Sequence, residues 1–308
     1  MVRSASIIVC GLPESGKTTY LAALWHILGA PEVDTALTLS SREYDDYAYI
    51  LSIHQRWLRG HKQIHTQALT QKVVGFDLAD ESGNDIQLLV PDHSGETYQT
   101  LWAQRQCETH IGEALKNRAG IMVFINVDTI EQPRPLLNDL ADADDMAGDK
   151  GPAADEAAAD QTVASSAAAP DSARQGPPFD PAEAPDQVKL VDILQSLRQE
   201  AFRSNHRRVA IILSAWDLLA PDEETPEAVL KRELPLLHDY LETGEHGWET
   251  KVYGVSAQGG EYADPEKDGG IGEDTQRLLE MRPSERIMIV DDGVESRDLT
   301  LPIAWLSP

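Results

Sequence analysis

The sequence predicts an α/β fold in which a mostly parallel sheet is covered by helices on both faces, giving three layers. Apolar runs of strand length alternate along the chain with longer segments of helical periodicity, a pattern typical of parallel βα units. The chain has 308 residues and is 41% hydrophobic, enough for one large domain with insertions or for two small domains. Because the strand pattern continues along the chain, we expect a single domain over residues 1–308.

The predicted elements follow one another in a regular order. In the amino-terminal part we expect strands over residues 6–10, 72–78, 85–91 and 119–127 and helices over residues 17–28, 42–58 and 98–116. After it we expect helices over residues 187–203 and 225–241, strands over residues 208–214, 251–256 and 286–290, and a last helix within residues 299–306. The Tyr and Trp side chains of the helix at 42–58 fit core packing and a partner surface equally well.

Two segments lack the composition of a packed core. Residues 138–186 are rich in Ala, Asp, Pro, Gly and Ser, and Phe179 is their only aromatic residue. Such a segment buries too little apolar surface to offset its ordering entropy. Because the strand pattern resumes afterwards, we expect a disordered acidic insertion within the domain, and we expect residues 259–275 to form a flexible loop.

The charge and cysteine content restrict the partners and the compartment. The formal net charge is −26 and the pI is near 4.6, so we expect neither nucleic acid nor an anionic membrane as a general partner. Two cysteines, Cys10 and Cys107, form neither a disulfide framework nor a metal motif. No apolar run is long enough to cross a bilayer, and we expect a cytoplasmic protein.

A phosphate-binding motif follows the first predicted strand. Residues 11–18 read G-L-P-E-S-G-K-T, which fits G-x-x-x-x-G-K-[ST] between a strand and a helix. Gly11 and Gly16 allow the backbone to curl around a phosphate, and the helix amino terminus adds partial positive charge. Lys17 can reach the β- and γ-phosphates, and Thr18 can bind Mg²⁺. Glu14 and Ser15 of this segment, and Thr19 directly after it, are further candidate nucleotide contacts.

Three further polar segments follow predicted strands at their carboxyl ends, where α/β sheets place ligands. They are residues 92–95 (D-H-S-G), 214–217 (S-A-W-D) and 256–258 (S-A-Q). A carboxylate at Asp217 can accept hydrogen bonds from both N1–H and N2–H of guanine, which adenine does not offer. An alternative role for Asp217 is to cap the following segment.

These four segments, in this order, make the chain resemble a Ras-like (TRAFAC-class) P-loop GTPase over most of its ordered length. The resemblance implies a GTP/GDP site with Mg²⁺. Asp92 would hold the metal through water, the Gly95 N–H would sense the γ-phosphate, and Asp217 would bind guanine. Ser256 and Ala257 match the loop that offers a backbone N–H to the guanine O6. The [NT]-K-x-D guanine motif is altered, because Ser214 replaces Asn or Thr and Ala215 replaces the Lys that braces the phosphate loop.

The resemblance also implies switch segments and a hydrolytic group. Thr66 is the preferred switch threonine for Mg²⁺ and the γ-phosphate, and Thr70 is the alternative. The segment between the first helix and this threonine is extended relative to a minimal Ras-like domain. Glu96 stands where the water-orienting Gln is usual, and His93 or a supplied arginine finger are other candidates for this role. We therefore expect slow or partner-stimulated hydrolysis.

Finer features are similar to the bacterial double-GTPase families of conflict and defence systems. They are the G-L-P-E-S-G-K-T-T-Y-L segment, the R-W-L-R-G segment at residues 56–60 and the tail D-L-T-L-P-I-A-W-L at residues 298–306. This resemblance implies a regulatory GTP-binding switch that acts with a sister GTPase or effector proteins. Two alternatives remain: a non-hydrolysing pseudo-GTPase that binds GTP or GDP, and a P-loop ATPase or nucleotide kinase.

Overall fold

The computed structural model describes residues 5–40, 47–63, 73–91, 102–106, 112–113, 116, 118–131, 181–199, 208–219, 224–243, 247–264 and 271–307. The chain divides into two units, one formed by Met1–Glu131 and Pro185–Pro308 and the other by Gln132–Ala184. The candidate site lies in the first unit. Most of the predicted insertion at residues 138–186 lies outside the described residues, and so does most of the helix predicted at 98–116.

The described strands have these bounds: β1 Ala5–Gly11, β2 Thr38–Leu39, β3 Val73–Ala79, β4 Asp85–Pro91, β5 Arg118–Asn126, β6 Arg208–Ser214, β7 Glu249–Ser256, β8 Met288–Asp291 and β9 Val294–Ser296. The helices are α1 Lys17–Gly29, α2 Tyr47–Leu58, α3 Asp186–Ser196, α4 Pro226–Glu233, α5 Pro235–Glu242, α6 Glu273–Glu280 and α7 Leu301–Leu306. Short 3₁₀ helices occur at Pro181–Glu183, Trp216–Leu218 and Pro283–Arg286. Within the described ranges, no helix is both long enough and apolar enough to cross a membrane.

The sheet is mixed, and the prediction of a mostly parallel sheet is wrong. The described strands lie in the order β2-β3-β4-β1-β5-β6-β7-β8-β9. The central strands β4, β1, β5, β6 and β7 pair in parallel, whereas β2-β3-β4 at one edge and β7-β8-β9 at the other pair antiparallel. At these edges β3 joins β4, and β8 joins β9, through a short turn that reverses the strand direction, whereas the connections from β2 to β3 and from β7 to β8 contain α2 and α6.

Two other predictions change at local breaks in the chain. The helix predicted over 225–241 is two helices, because Pro235 lacks an N–H and disfavours the helical conformation of the preceding residue. Leu234 accordingly has φ −133° and ψ 57°. Helix α6 begins at Glu273. The last three residues of the loop predicted at 259–275 are therefore helical.

The buried core lies along the central strands and against α1 and α2. Ile7, Ile8 and Val9 of β1 are fully buried, as expected for a strand covered on both faces. Tyr20 of α1 packs edge-on against Phe124 of β5, with ring centroids 5.0 Å apart. This packing fixes the amino terminus of α1 directly beyond the carboxyl end of β1, where the phosphate-binding motif lies.

Candidate functional site

The phosphate loop (residues 11–18) connects β1 to α1 in a conformation that requires glycine at two positions. Gly11 has φ +150°, and a Cβ there would lie 2.5 Å from the Phe124 carbonyl oxygen. Gly16 has φ +84°, and its Cβ would lie 2.9 Å from the Ser214 hydroxyl oxygen. Both the backbone dihedral angles and the close neighbours therefore exclude larger residues. Glu14 also adopts a positive φ of 59°, and its side chain is exposed.

Lys17 lies buried at the centre of the phosphate loop. Its Nζ donates hydrogen bonds to the carbonyl oxygens of Gly11 and Leu12 at 3.1 and 2.6 Å, and to the Ser15 hydroxyl at 2.7 Å. Burial lowers the pKa of Lys17 to about 7, because removal from water disfavours the charged ammonium. The amino terminus of α1 begins at the same residue, so a cation and a helix dipole converge on one point, which suits an anion.

The predicted magnesium ligands are described only in part. Thr18 lies half-buried in the first turn of α1, and its hydroxyl oxygen is a hard donor of the kind that Mg²⁺ prefers. Thr19 follows it, also half-buried. Six other predicted residues lie outside the described residues; they are Thr66, Thr70, Asp92, His93, Gly95 and Glu96.

Two side chains brace the phosphate loop from neighbouring strands. The Ser214 hydroxyl donates a hydrogen bond to the Ser15 carbonyl oxygen at 3.0 Å, so the serine that replaces Asn or Thr reaches the loop. Asn126 donates from Nδ2 to the Glu14 carbonyl oxygen at 3.2 Å. The register of β5 and β6 pairs Asn126 with Ser214, which places both side chains at the same end of the sheet.

Sequence reasoning missed Asn126, although its position contained a signal. It is the last residue of β5, which lies next to β1 in the sheet. A polar residue that ends a buried parallel strand points toward the ligand edge of an α/β sheet. Asn126 therefore supplies a brace on the phosphate loop of the kind that the missing Lys at Ala215 would give.

Asp217 lies in the short 3₁₀ helix that follows β6. Ala215 precedes this helix with φ 57°, and Trp216 packs over β7 so closely that a Cβ at Gly254 would lie 2.3 Å from its ring. Asp217 is half-buried and is a member of the helix, whereas its N-cap position is occupied by Ala215. Burial raises the pKa of Tyr262; the Arg286 guanidinium opposes this shift, and the Asp217 carboxylate adds to it.

The base loop (residues 256–260) follows β7 beside the Trp216–Leu218 helix. Ser256 is 1% exposed and Ala257 is 9% exposed. The Ser256 hydroxyl accepts a hydrogen bond from the Gly259 N–H at 3.0 Å, which closes the loop into a turn. The described part of the candidate site is thus assembled at the carboxyl ends of β1, β5, β6 and β7, which are consecutive neighbours in the sheet. Such an arrangement can hold a phosphate chain at one end and a flat base at the other.

Comparisons with known proteins identify the family to which the chain belongs. A comparison with curated proteins found no match. Among solved structures the chain is similar to the Arl6 BBS3 small GTPase from Trypanosoma brucei with bound nucleotide analogue GppNp, at 10% identity and a TM-score of 0.37, covering 92% of this chain and 99% of that chain. The family model described as Double-GTPase 1 matches residues 8–306. Because this match spans nearly the whole sequence, the chain belongs to the Double-GTPase 1 family.

Proposed function

We propose that the protein is a GTP-dependent molecular switch with slow or partner-stimulated hydrolysis. Membership of a GTPase family implies guanine-nucleotide binding. The observation that carries the proposal is the braced phosphate loop with the buried Lys17 ammonium at its centre. In this structure the Lys17 ammonium donates to three acceptors of the loop itself. A phosphate oxygen that replaces one or more of them would accept from the same ammonium, which would stabilise the charge on it.

The remaining parts of the mechanism follow from the site residues. Thr18, with Asp92 and Thr66, would hold Mg²⁺, which neutralises phosphate charge when it is bound. Asp217 and the N–H of Ala257 would select guanine. The Gly95 and Thr66 segments would contact the γ-phosphate and release when it is lost, which is the order–disorder switch used by such proteins. We also propose a regulatory role in a bacterial conflict or defence system, with a sister GTPase or an effector as partner.

Nucleotide selectivity is tested by calorimetry with GTP, GDP and ATP on the whole chain. We expect GTP and GDP to bind more tightly than ATP. Asp217→Ala should weaken GTP at least about tenfold and leave ATP unchanged, because two charge-assisted hydrogen bonds to the base are lost. Asp217→Asn should favour xanthosine triphosphate, whose C2 carbonyl accepts a hydrogen bond from an amide. Asp239→Ala, at a side chain 79% exposed on α5, is the matched control. Preference for ATP would contradict the proposal and favour an ATPase or nucleotide kinase.

A pseudo-GTPase that holds GTP or GDP without turnover is the second candidate. Two sequence features favour it: Glu96 occupies the place of the water-orienting Gln, and Ala215 replaces the guanine-motif Lys. Single-turnover conversion of radiolabelled GTP separates the two functions. Slow turnover that rises in Glu96→Gln supports a hydrolase, because a neutral amide can orient water beside the γ-phosphate. No turnover in either protein supports the pseudo-GTPase, and a fast rate in the unmodified protein contradicts slow intrinsic hydrolysis.

A further inference from the structure

Helix α2, which lies outside every motif of the predicted nucleotide site, makes a buried contact with the base loop. Trp57 in its last turn is 0% exposed, and its indole N–H donates a hydrogen bond to the Ala257 carbonyl oxygen at 2.8 Å. The two residues are 200 positions apart in the chain. The contact therefore joins the base loop to an element inserted early in the sequence.

The Trp57 ring is fixed on several sides. The His26 ring of α1 lies 5.3 Å from it, and the His54 ring stacks on it at 6.3 Å. The buried Arg286 guanidinium lies 5.8 Å from the ring centroid, within the range of a cation–π interaction. An indole held in this way has one orientation, so its N–H is a fixed donor for the base loop.

The backbone of Arg286 also packs closely against the base loop, at Gly259. Gly259 has φ +76°, and a Cβ there would lie 2.7 Å from the Arg286 carbonyl oxygen. Within the loop, Gln258 donates from Nε2 to the Gly260 carbonyl oxygen at 2.7 Å. The peptide that follows Ala257 is thus held between the Trp57 N–H and the backbone of the Pro283–Arg286 helix.

The chain that continues from α2 is bonded to the chain that continues from the base loop. The Lys62 N–H donates to the Ala263 carbonyl oxygen at 2.8 Å, and the Ala263 N–H donates to the Gly60 carbonyl oxygen at 3.0 Å. Lys62 also pairs with Glu261 at 2.9 Å. The end of α2 and the base loop therefore form one hydrogen-bonded structure.

We propose that Trp57 is a positioning residue for guanine recognition, acting by fixing the Ala257 segment of the base loop. The proposal rests on the proposed GTP site. Because the Lys of the usual guanine motif is replaced by Ala215, the base lacks the packing surface of that side chain. Recognition then depends more strongly on the placement of the Ala257 N–H opposite the guanine O6. Without the Trp57 N–H, the buried Ala257 carbonyl oxygen would lack a hydrogen-bond donor. It would then remain unsatisfied, or its segment would shift toward another donor.

Trp57→Phe tests the proposal, because it keeps an aromatic ring and removes the N–H. We expect GTP and GDP to bind roughly tenfold more weakly, the scale of one lost buried hydrogen bond, with ATP affinity near that of the unmodified protein. The melting temperature should fall as well, because the smaller ring leaves a cavity at a fully buried position. The ratio of the ATP to the GTP dissociation constant should therefore fall. Trp305→Phe, at a half-buried tryptophan of α7, is the matched control and should leave this ratio unchanged.

The outcomes separate the inference from the function on which it rests. An unmodified protein without preference for GTP over ATP contradicts the proposed function. If the preference exists and Trp57→Phe leaves it unchanged, or weakens GTP and ATP equally, Trp57 has no positioning role. Should the variant fail to fold, the Trp57 indole N–H resonance of the unmodified protein provides the test. This resonance should shift on addition of GTP and stay in place with inorganic triphosphate, and an equal response to both contradicts the proposal.

Discussion

The environment of Lys17 ties nucleotide affinity to pH. Its ammonium is buried among two carbonyl oxygens and a hydroxyl, and burial lowers its pKa to about 7. This pKa lies below that of a lysine in the unfolded chain. Lys17 therefore destabilises the fold at a pH at which it is charged in both states, and the stability of the fold rises as the pH increases above 7. A bound triphosphate has the opposite effect on the pKa, since its negative charge favours the protonated ammonium.

GTP binding at pH 8 should therefore take up close to one proton, and GTP affinity should fall as the pH rises from 7 to 9. The free protein is mostly neutral at Nζ in that range, whereas the complex is charged. Calorimetry at pH 8 in two buffers of different ionisation enthalpy measures the uptake directly. At pH 6 Lys17 is already protonated, so this uptake should disappear. Equal GTP affinities at pH 7 and pH 9, without proton uptake at pH 8, would contradict the assignment.

The two braces on the phosphate loop show what sequence reasoning could and could not find. The Ser214 position was identifiable from its motif, but Asn126 belongs to no motif. Its role depends on the parallel register that pairs it with Ser214 and brings the two side chains to the consecutive carbonyls of Ser15 and Glu14. Register across parallel strands is set by long-range packing, and a single sequence does not display it.

At the scale of elements, the predicted guanine motif at residues 214–217 packs against a glycine in the neighbouring strand. Trp216 packs its indole directly onto Gly254 of β7, and Asp217 is the next residue in the same 3₁₀ helix. The indole is rigid, so an added methyl group cannot be accommodated by bending the side chain. Any side chain at residue 254 would move Trp216 and the Asp217 carboxylate together.

Gly254→Ala should weaken GTP binding about tenfold and destabilise the fold by about 1–3 kcal/mol, the usual range for overpacking a core. The reason is the 2.3 Å separation between an added Cβ and the Trp216 ring. Chemical denaturation and GTP titration measure the two effects. Gly75→Ala in β3 is the matched control, since its Cβ would meet ordinary contacts at 3.7 Å and beyond. A Gly254→Ala protein with unchanged stability and GTP affinity would show that the motif tolerates this shift.

The elements are predicted best where the hydrophobic pattern and the turn-forming residues indicate the same boundaries. Strand β4 and strand β6 have the predicted bounds, and α1 begins at Lys17 as expected. The break between α4 and α5 was missed because the apolar spacing continues across Pro235, although the proline itself was visible. Strands β2 and β9 were missed because they are two and three residues long, too short for a periodic signal.

At the scale of the molecule, the parallel strands and the antiparallel edges have different roles. The described site residues follow β1, β5, β6 and β7, all within the parallel centre of the sheet. Alternating strands and helices predicted that centre, and with it the edge where the ligand groups meet. That alternation does not give the direction of the outer strands. The short turn between the strands predicted at 72–78 and 85–91 does indicate the antiparallel pairing of β3 with β4, whereas no feature of this kind indicates the antiparallel pairing of β7 with β8.

The predicted acidic insertion should be dispensable for folding and nucleotide binding. The chain segments before and after it are already in contact. The Glu131 N–H donates a hydrogen bond to the Asp186 carboxylate at 3.2 Å, and the Lys189 Nζ lies 3.5 Å from the Glu131 carboxylate and 3.5 Å from the Asp186 carboxylate. A short connection can therefore span the gap. For a segment that is disordered, as predicted here from its composition, a fourfold shortening would also stabilise the fold by about 1 kcal/mol, because less closure entropy is lost.

Replacing residues 138–180 with about six Gly and Ser residues, a flexible linker of sufficient reach, should leave GTP affinity unchanged and raise the melting temperature slightly. Thermal denaturation and calorimetry on both proteins provide the comparison. Lys189→Ala in the shortened protein should lower its melting temperature, since Glu131 and Asp186 would then face each other without a cation. A shortened protein that does not fold, or that loses GTP binding, would show that the insertion is part of the nucleotide-binding domain.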